Sequence, residues 1–297
     1  MISYHPRPAG SEKPLFSILI PTWNNLPFVR LCVESLRQNS TYTHQLILHI
    51  NEGADGTLQW AQQEGLDYTF SAQNVGICFA CNASASLAKA DYIVYMNDDM
   101  YACPGWDKHL YDAIRAYGRD DFYFSATMIE RKDAACGFVS SPHDYGSTVE
   151  DFREAQLHQD LPQLSIPDWQ GANFPPSVMH RNYWDLIGGF SVEFSPGMYS
   201  DPDLCRKLWA AGVRNFKGVG SSLVYHFMSK SIGRVKRNNG KKQFLIKWGI
   251  TARTFFDFYT HLHQGQQSAA YRGILTDPPL TLSLRWQWFL SAVKRWF

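Results

Sequence analysis

The stretch richest in chemistry is Asn97-Asp98-Asp99, which closes the apolar run Tyr92-Ile93-Val94-Tyr95-Met96. A short run of β-branched and aromatic residues predicts a buried strand, and the polar residues then sit where it leaves the sheet. Adjacent carboxylates repel each other and hold water, so such a pair is favoured where a cation or hydrogen-bond donors compensate it. In an open α/β sheet that place is the crevice at the carboxyl ends of the strands. The spacing therefore points to an oxygen-ligated divalent cation, with a solvated loop pair as the plain alternative. A second acidic pair, Asp201 and Asp203, flanks Pro202 ahead of Leu204-Cys205-Arg206-Lys207-Leu208. This pattern predicts a helix start: Ser200 or Asp201 can cap it, Pro202 suits the first turn, and acids there interact favourably with the helix dipole.

The elements that must position these clusters follow from apolar periodicity. Residues 1–14, with Pro6, Pro8, Gly10 and Pro14, read as a loose lead-in. Phe16 to Ile20 predicts a strand stopped by Pro21-Thr22-Trp23-Asn24-Asn25, and Leu26 to Gln38 a helix with Phe28, Leu31, Cys32 and Leu36 on one face. Leu46 to Ile50 predicts a second strand ending in Asn51-Glu52-Gly53, and Asp67 to Phe70 a third, after which Asn74-Val75-Gly76 opens a helix rich in small residues. Three successive strands ending in polar clusters predict one shared crevice. Downstream come a helix over 107–117, a strand over 122–127, an irregular insert from Glu130 to about Pro167, a strand over 178–181, a short helix stopped by Gly188-Gly189, and two strands over 213–219 and 223–227.

Composition narrows the classes. A chain of 297 residues with a net charge of +1 hides an asymmetry: residues 1–228 hold 16 Lys+Arg against 25 Asp+Glu, net −9, and residues 229–297 hold 12 against 2, net +10. The six Cys are scattered, and Cys78 and Cys81 make one CxxC inside the small-residue helix with no second pair to complete a zinc site. They read as small buried thiols. No apolar run reaches the ~18 residues of a spanning helix, and no basic-then-apolar segment opens the chain. The expected location is the cytoplasm, at the inner face of the cell membrane if the tail binds lipid.

Taken in chain order, Ile20-Pro21-Thr22-Trp23-Asn24, Asn74-Val75-Gly76, Met96-Asn97-Asp98-Asp99, Gly188-Gly189-Phe190, Asp201-Pro202-Asp203-Leu204-Cys205-Arg206-Lys207-Leu208 and Tyr225-His226 resemble the family 2 glycosyltransferases. The resemblance covers about 16–228 and implies the GT-A fold: an α/β nucleotide-binding sandwich with a mixed, mostly parallel central sheet, here spanning 15–228, with a helical extension over 229–297. It implies transfer of a hexosyl or deoxyhexosyl group from a nucleotide diphosphate sugar to a hydroxyl of a cell-surface glycan or its lipid-linked precursor, with inversion. Asp99 matches the last acid of the family's DxD motif and His226 a later His that joins the metal, magnesium or manganese. Asn97 stands where the first acid is usual, leaving Asn97 and Asp98 to contact ribose or a metal-bound water. Pro21, Thr22 and Asn24 would line the base, Asn51 or Glu52 would meet its edge, and Asn74 and Gly76 would lie behind the nucleotide. Asp201 matches the general base of inverting members, because an acceptor hydroxyl must lose its proton as it attacks the anomeric carbon. Asp203 is the fallback, and the plain alternative is that both acids only cap the helix. Among the aromatics, Trp169 and Tyr199 are acceptor-side candidates, since sugar C–H faces suit rings. A non-catalytic nucleotide-sugar or glycan-binding module of the same fold and a sugar nucleotidyltransferase are the alternative readings; for the latter, no glycine-rich, Lys-containing loop follows Ile20.

In the tail, Lys236 to Lys242 predicts a basic loop, Gln243 to about His263 a helix, and 280–297 a basic, Trp-rich helix. Basic residues among interfacial aromatics suit an anionic bilayer surface; packing on the catalytic domain or an oligomer contact is an equal alternative. The positive charge follows no recognisable nucleic-acid-reading pattern.

Overall fold

A computed structural model of the chain describes residues 1–8, 13–134, 136–229, 238–262 and 270–295. The first half alternates strand and helix: β1 (Ile2–His5), β2 (Phe16–Trp23), α1 (Leu26–Asn39), β3 (Gln45–Asn51), α2 (Thr57–Gln63), β4 (Asp67–Ser71), α3 (Gly76–Ala85), β5 (Tyr92–Tyr95), β6 (Met100–Ala102) and α4 (Trp106–Tyr117). The second half comprises β7 (Phe122–Ile129), β8 (Val139–Ser140), α5 (Glu154–Leu164), β9 (Trp169–Gln170), β10 (Ser177–His180), α6 (Arg181–Ile187), α7 (Ser200–Ala210) and β11 (Asn215–His226). The tail adds α8 (Gly240–Trp248), α9 (Ala252–Phe255), a π turn (Phe256–Thr260) and α10 (Leu282–Lys294).

The strands form one sheet in the order β1-β4-β3-β2-β5-β10-β7-β11-β6. Its centre, β4-β3-β2-β5, is parallel, β10 enters antiparallel between β5 and β7, and β7 and β11 are parallel. This is the mixed, mostly parallel α/β architecture expected of the resemblance. Ile18, Leu19, Ile20 and Ile47, Leu48 are fully buried because helices cover both faces. One core lies under α1, α2 and α4, around Val29, Leu36, Trp60 and Leu110. The other lies under α3, α6 and α7, around Leu204 and Leu208, and continues without a break into Phe244, Phe255, Tyr259 and Leu284 of the tail. The extension is thus packed onto the same core rather than folded apart from it. Strand β3 lies on one side of β2 and β5 on the other, so the chain reverses direction across the sheet there and opens a crevice at their carboxyl ends.

Several elements depart from their expected form. The lead-in contains β1, which pairs antiparallel with the edge strand β4 and stacks His5 on Tyr68 at 4.5 Å, so it covers an edge that would otherwise be open. The 130–167 insert carries β8 and α5, with Leu157 and Leu164 buried against Tyr101 and Leu223. The two strands expected over 213–227 are one strand, β11, whose register shifts between Val219 and Leu223. That bulge absorbs Gly220-Ser221-Ser222, which reads as a break in the apolar pattern. The helix expected from Gln243 stops at Gly249, held at φ 74°. Lys236, Arg237, Trp296 and Phe297 lie outside the described residues.

Candidate active site

The strand ends, the turn before α7 and the end of β11 enclose a cleft of about 870 Å³. Pro21, Thr22, Asn51, Asn74, Gly76, Asn97, Asp98, Asp99, Tyr199, Asp201 and His226, spread over two hundred positions of sequence, all line it.

Register places the acidic end. Strand β6 pairs antiparallel with the end of β11, His226 opposite Met100, and the Phe227 N–H donates to the Asp99 carbonyl at 3.1 Å. This brings His226 Nε2 to 3.6 Å from Asp99 Oδ1, while the Ser229 N–H donates to Asp99 Oδ2 at 2.7 Å. Burial alone would raise the Asp99 carboxyl, but the close, charged imidazole of His226 together with the Ser229 N–H outweighs it and holds the group below its usual range. Glu130, at the end of β7, lies 2.8 Å from His226 Nδ1. Burial works against charge on the imidazole, yet Asp99 and Glu130 overcome it and push His226 up to about 9. Glu130 read in sequence only as the start of an irregular insert; the signal was there, since it is another acid directly after an apolar strand.

The opposite wall is the turn into α7. Tyr199 adopts a left-handed conformation at φ 69°, and Ser200 Oγ bonds back to the Gly197 carbonyl at 2.7 Å. Neither acid caps the helix. The Asp201 carboxylate accepts no hydrogen bond among the described residues; it faces the cleft beside buried Tyr95, Tyr123 and Cys78. Solvent still grazes it, but it sits deep enough that burial pushes it up to about 7. Asp203 is fully buried on the far side of the helix, accepting from Trp248 Nε1 at 2.7 Å and Lys247 Nζ at 2.9 Å. It ties α7 to α8 and lies outside the cleft lining, which removes it as the alternative to Asp201.

The two walls meet behind the strand ends. Asn51 Oδ1 accepts the Val75 N–H at 2.9 Å, Asn74 Oδ1 accepts the Gly76 N–H at 2.9 Å, and Ile77 N–H donates to the Pro196 carbonyl at 2.9 Å. Asn51 and Asn74 thus use their amide oxygens to shape the turn. Gly76 stands at φ 79°, and a Cβ there would fall 2.6 Å from Pro196 Cα. Gly76→Ala is expected to cost about 1–3 kcal/mol and to weaken nucleotide binding as well, since the clash pushes apart two cleft walls; thermal unfolding with and without nucleotide reads both.

Asn24 and Glu52 are not among the lining residues. Both have positive φ, 45° and 62°, and Asn24 Nδ2 donates to Glu52 Oε2 at 3.0 Å, bracing the two strand ends against each other. Trp169 is displaced more thoroughly. It is 2% exposed on β9, its Nε1 donates to Thr127 Oγ1 at 3.0 Å, and its ring fills the space over Gly218, where a Cβ would lie 1.8 Å from Trp169 Cε2. It is a core residue, because a glycine in the facing strand leaves a ring-sized gap. Phe174, Met198 and Met228 line the cleft without having been expected there, since all three lie in connections outside any helix or strand, where no periodicity marks them.

Among the described residues the cleft lining carries three carboxylates and neither Lys nor Arg, and no three His, Cys, Asp or Glu side chains form a ready-made metal site. Asp99 and His226 nevertheless fit a cation that takes its other ligands from substrate and water, with Glu130 orienting the imidazole from behind.

The chain is similar in sequence and in fold to known proteins. Over 244 residues the chain is 25% identical to the uncharacterized protein y4gI of Sinorhizobium fredii, covering 74% of this chain and 25% of that protein. Over 157 residues it is 24% identical to the putative glycosyltransferase EpsH of Bacillus subtilis, covering 51% of this chain and 41% of that one. The chain therefore spans less than half the length of either. In fold it is similar to S. aureus TarS 1–349 in complex with UDP, with TM-score 0.51 and 12% identity over 71% of this chain and 60% of that one. Another structure of S. aureus TarS superposes with TM-score 0.55 and 9% identity over 95% of this chain and 43% of that one. The model of glycosyl transferase family 2 matches residues 17–171, more than half of the sequence and the whole strand-and-crevice half of the cleft, and the chain belongs to that family.

Proposed function

We propose that this protein moves a sugar from a nucleotide diphosphate sugar to a hydroxyl of a cell-surface glycan or its lipid-linked precursor, with inversion. The observation that carries the reading is the Asp201 carboxylate, without a hydrogen-bond partner among the described residues, pushed up to about 7 and in the same cleft as Asp98 and Asp99. A buried carboxylate poised near neutrality and facing a cleft suits proton abstraction. Pro21, Thr22 and Asn51 would border the base, with Asn74 and Gly76 behind the nucleotide and Asn97 and Asp98 toward the ribose. The Asn24–Glu52 brace would hold the base-side strand ends in place. Asp99 and His226 would hold magnesium or manganese, which offsets charge on the departing diphosphate.

Asp201 then takes the proton from the acceptor hydroxyl as its oxygen bonds to the anomeric carbon, while the bond from that carbon to the diphosphate oxygen breaks. Tyr199, next to the base, would flank the acceptor sugar; Phe174, Met198 and Met228 would exclude water from it. Uridine diphosphate is the first donor nucleotide to test, since TarS is similar in fold and was solved with UDP. Ligands that bind the native state raise its apparent stability by mass action. Differential scanning fluorimetry with UDP and manganese is expected to raise Tm by several degrees, and by much less with either alone. No shift with any nucleoside diphosphate, with or without metal, contradicts the reading.

A further inference from the structure

Helix α10 presents an apolar stripe to solvent. At about 100° per residue on a helix, Leu282, Trp286, Phe289 and Val293 fall within about 60° of one another, at spacings of four, three and four. All are exposed: Leu282 by 85%, Trp286 by 58%, Phe289 by 56% and Val293 by 39%. The face turned about 180° away carries Leu284 and Ser291, at 0% and 1%. Leu284 belongs to the core shared with α7, β11 and α9. The helix is therefore anchored by one side and presents an apolar stripe on the opposite side, with Trp286 and Phe289 stacked at 5.4 Å as a flat plate. A stripe of this kind on a helix already packed into the core has no further use in stabilising the fold.

Charge decides what covers it. Arg285 and Lys294 lie on either flank of the stripe, exposed and in no ion pair among the described residues, and no Asp or Glu occurs from Pro278 to the end of the sequence. A second copy of the chain would bring like charges together along the joined stripes. An anionic bilayer receives the rings at the headgroup level and pairs the flanking cations with lipid phosphates. We propose that α10 is a docking helix for an anionic lipid surface, lying flat with Trp286 and Phe289 embedded. Binding by this face is independent of the activity proposed above. If that activity holds, the helix keeps the cleft beside lipid-linked acceptors.

The test is co-sedimentation of the full chain with vesicles of phosphatidylglycerol and phosphatidylcholine, against phosphatidylcholine alone, at low and high salt. The wild type is expected to bind the anionic vesicles, and to bind less at high salt. Trp286→Glu with Phe289→Glu should abolish binding, and Arg285→Gln with Lys294→Gln should weaken it on the order of 20-fold. Both pairs should leave Tm unchanged, since neither touches the buried face. Wild-type protein that stays in the supernatant with anionic vesicles overturns the proposal. So does a concentration-dependent dimer in sedimentation velocity that Trp286→Glu dissolves, which would assign the stripe to self-association.

Discussion

Asp201→Asn is expected to lower turnover about 10³-fold while leaving nucleotide binding within a factor of two. The size is that of a lost general base, and the change is nearly isosteric at a side chain without hydrogen-bond partners among the described residues, so the cleft keeps its shape. A pH profile separates this from a general disturbance. For a base with its carboxyl up to about 7, wild-type kcat/KM should rise with pH and level off above that value; the residual activity of the variant should lack this limb. Stability supplies a second readout, with the opposite sign. A carboxyl that burial raises favours the protonated native state, so its contribution is complete below the ordinary carboxylate value and is lost as pH rises through about 7. The variant cannot ionise there, and its Tm should match the wild type near pH 4 and exceed it above pH 7. Retained turnover at pH 8 would remove Asp201 from the chemistry.

Asp203→Leu should instead destabilise the fold by about 2–4 kcal/mol and lower Tm by about 5 °C or more. Asp203 is wholly buried and receives both Trp248 Nε1 and Lys247 Nζ. Its loss orphans the indole N–H and half-frees an ammonium that keeps Glu193 and Ser191 as partners. Asp203→Asn retains an acceptor for Trp248 and should cost about 1 kcal/mol. Below the unfolding transition both variants should keep wild-type activity per folded molecule. Circular dichroism melts and an assay at low temperature distinguish the two acids: one change stops chemistry in a stable protein, the other loosens a working one. A wild-type Tm in Asp203→Leu would contradict the buried tether.

Sequence alone determined the alternation of apolar runs with polar strand ends, the Gly76 turn and the acidic pair at the start of α7. These are local properties, set by period and by backbone demands within a few residues, and they suffice for the α/β class and for locating the crevice. It also established that Asp201 and Asp203, about 200° apart on a helix, must face different ways. Which of them faces the cleft depended on where α8 packs, because Lys247 and Trp248 claim Asp203. Tertiary structure likewise put Trp169 over Gly218 rather than beside Tyr199, set Glu130 behind His226 through the pairing of β7, β11 and β6, and left the Trp286 stripe of α10 outward while Leu284 went in. Periodicity states that a side chain points to one side of its own element. What lies on that side is fixed by contacts between segments far apart in the chain, and no local pattern records those.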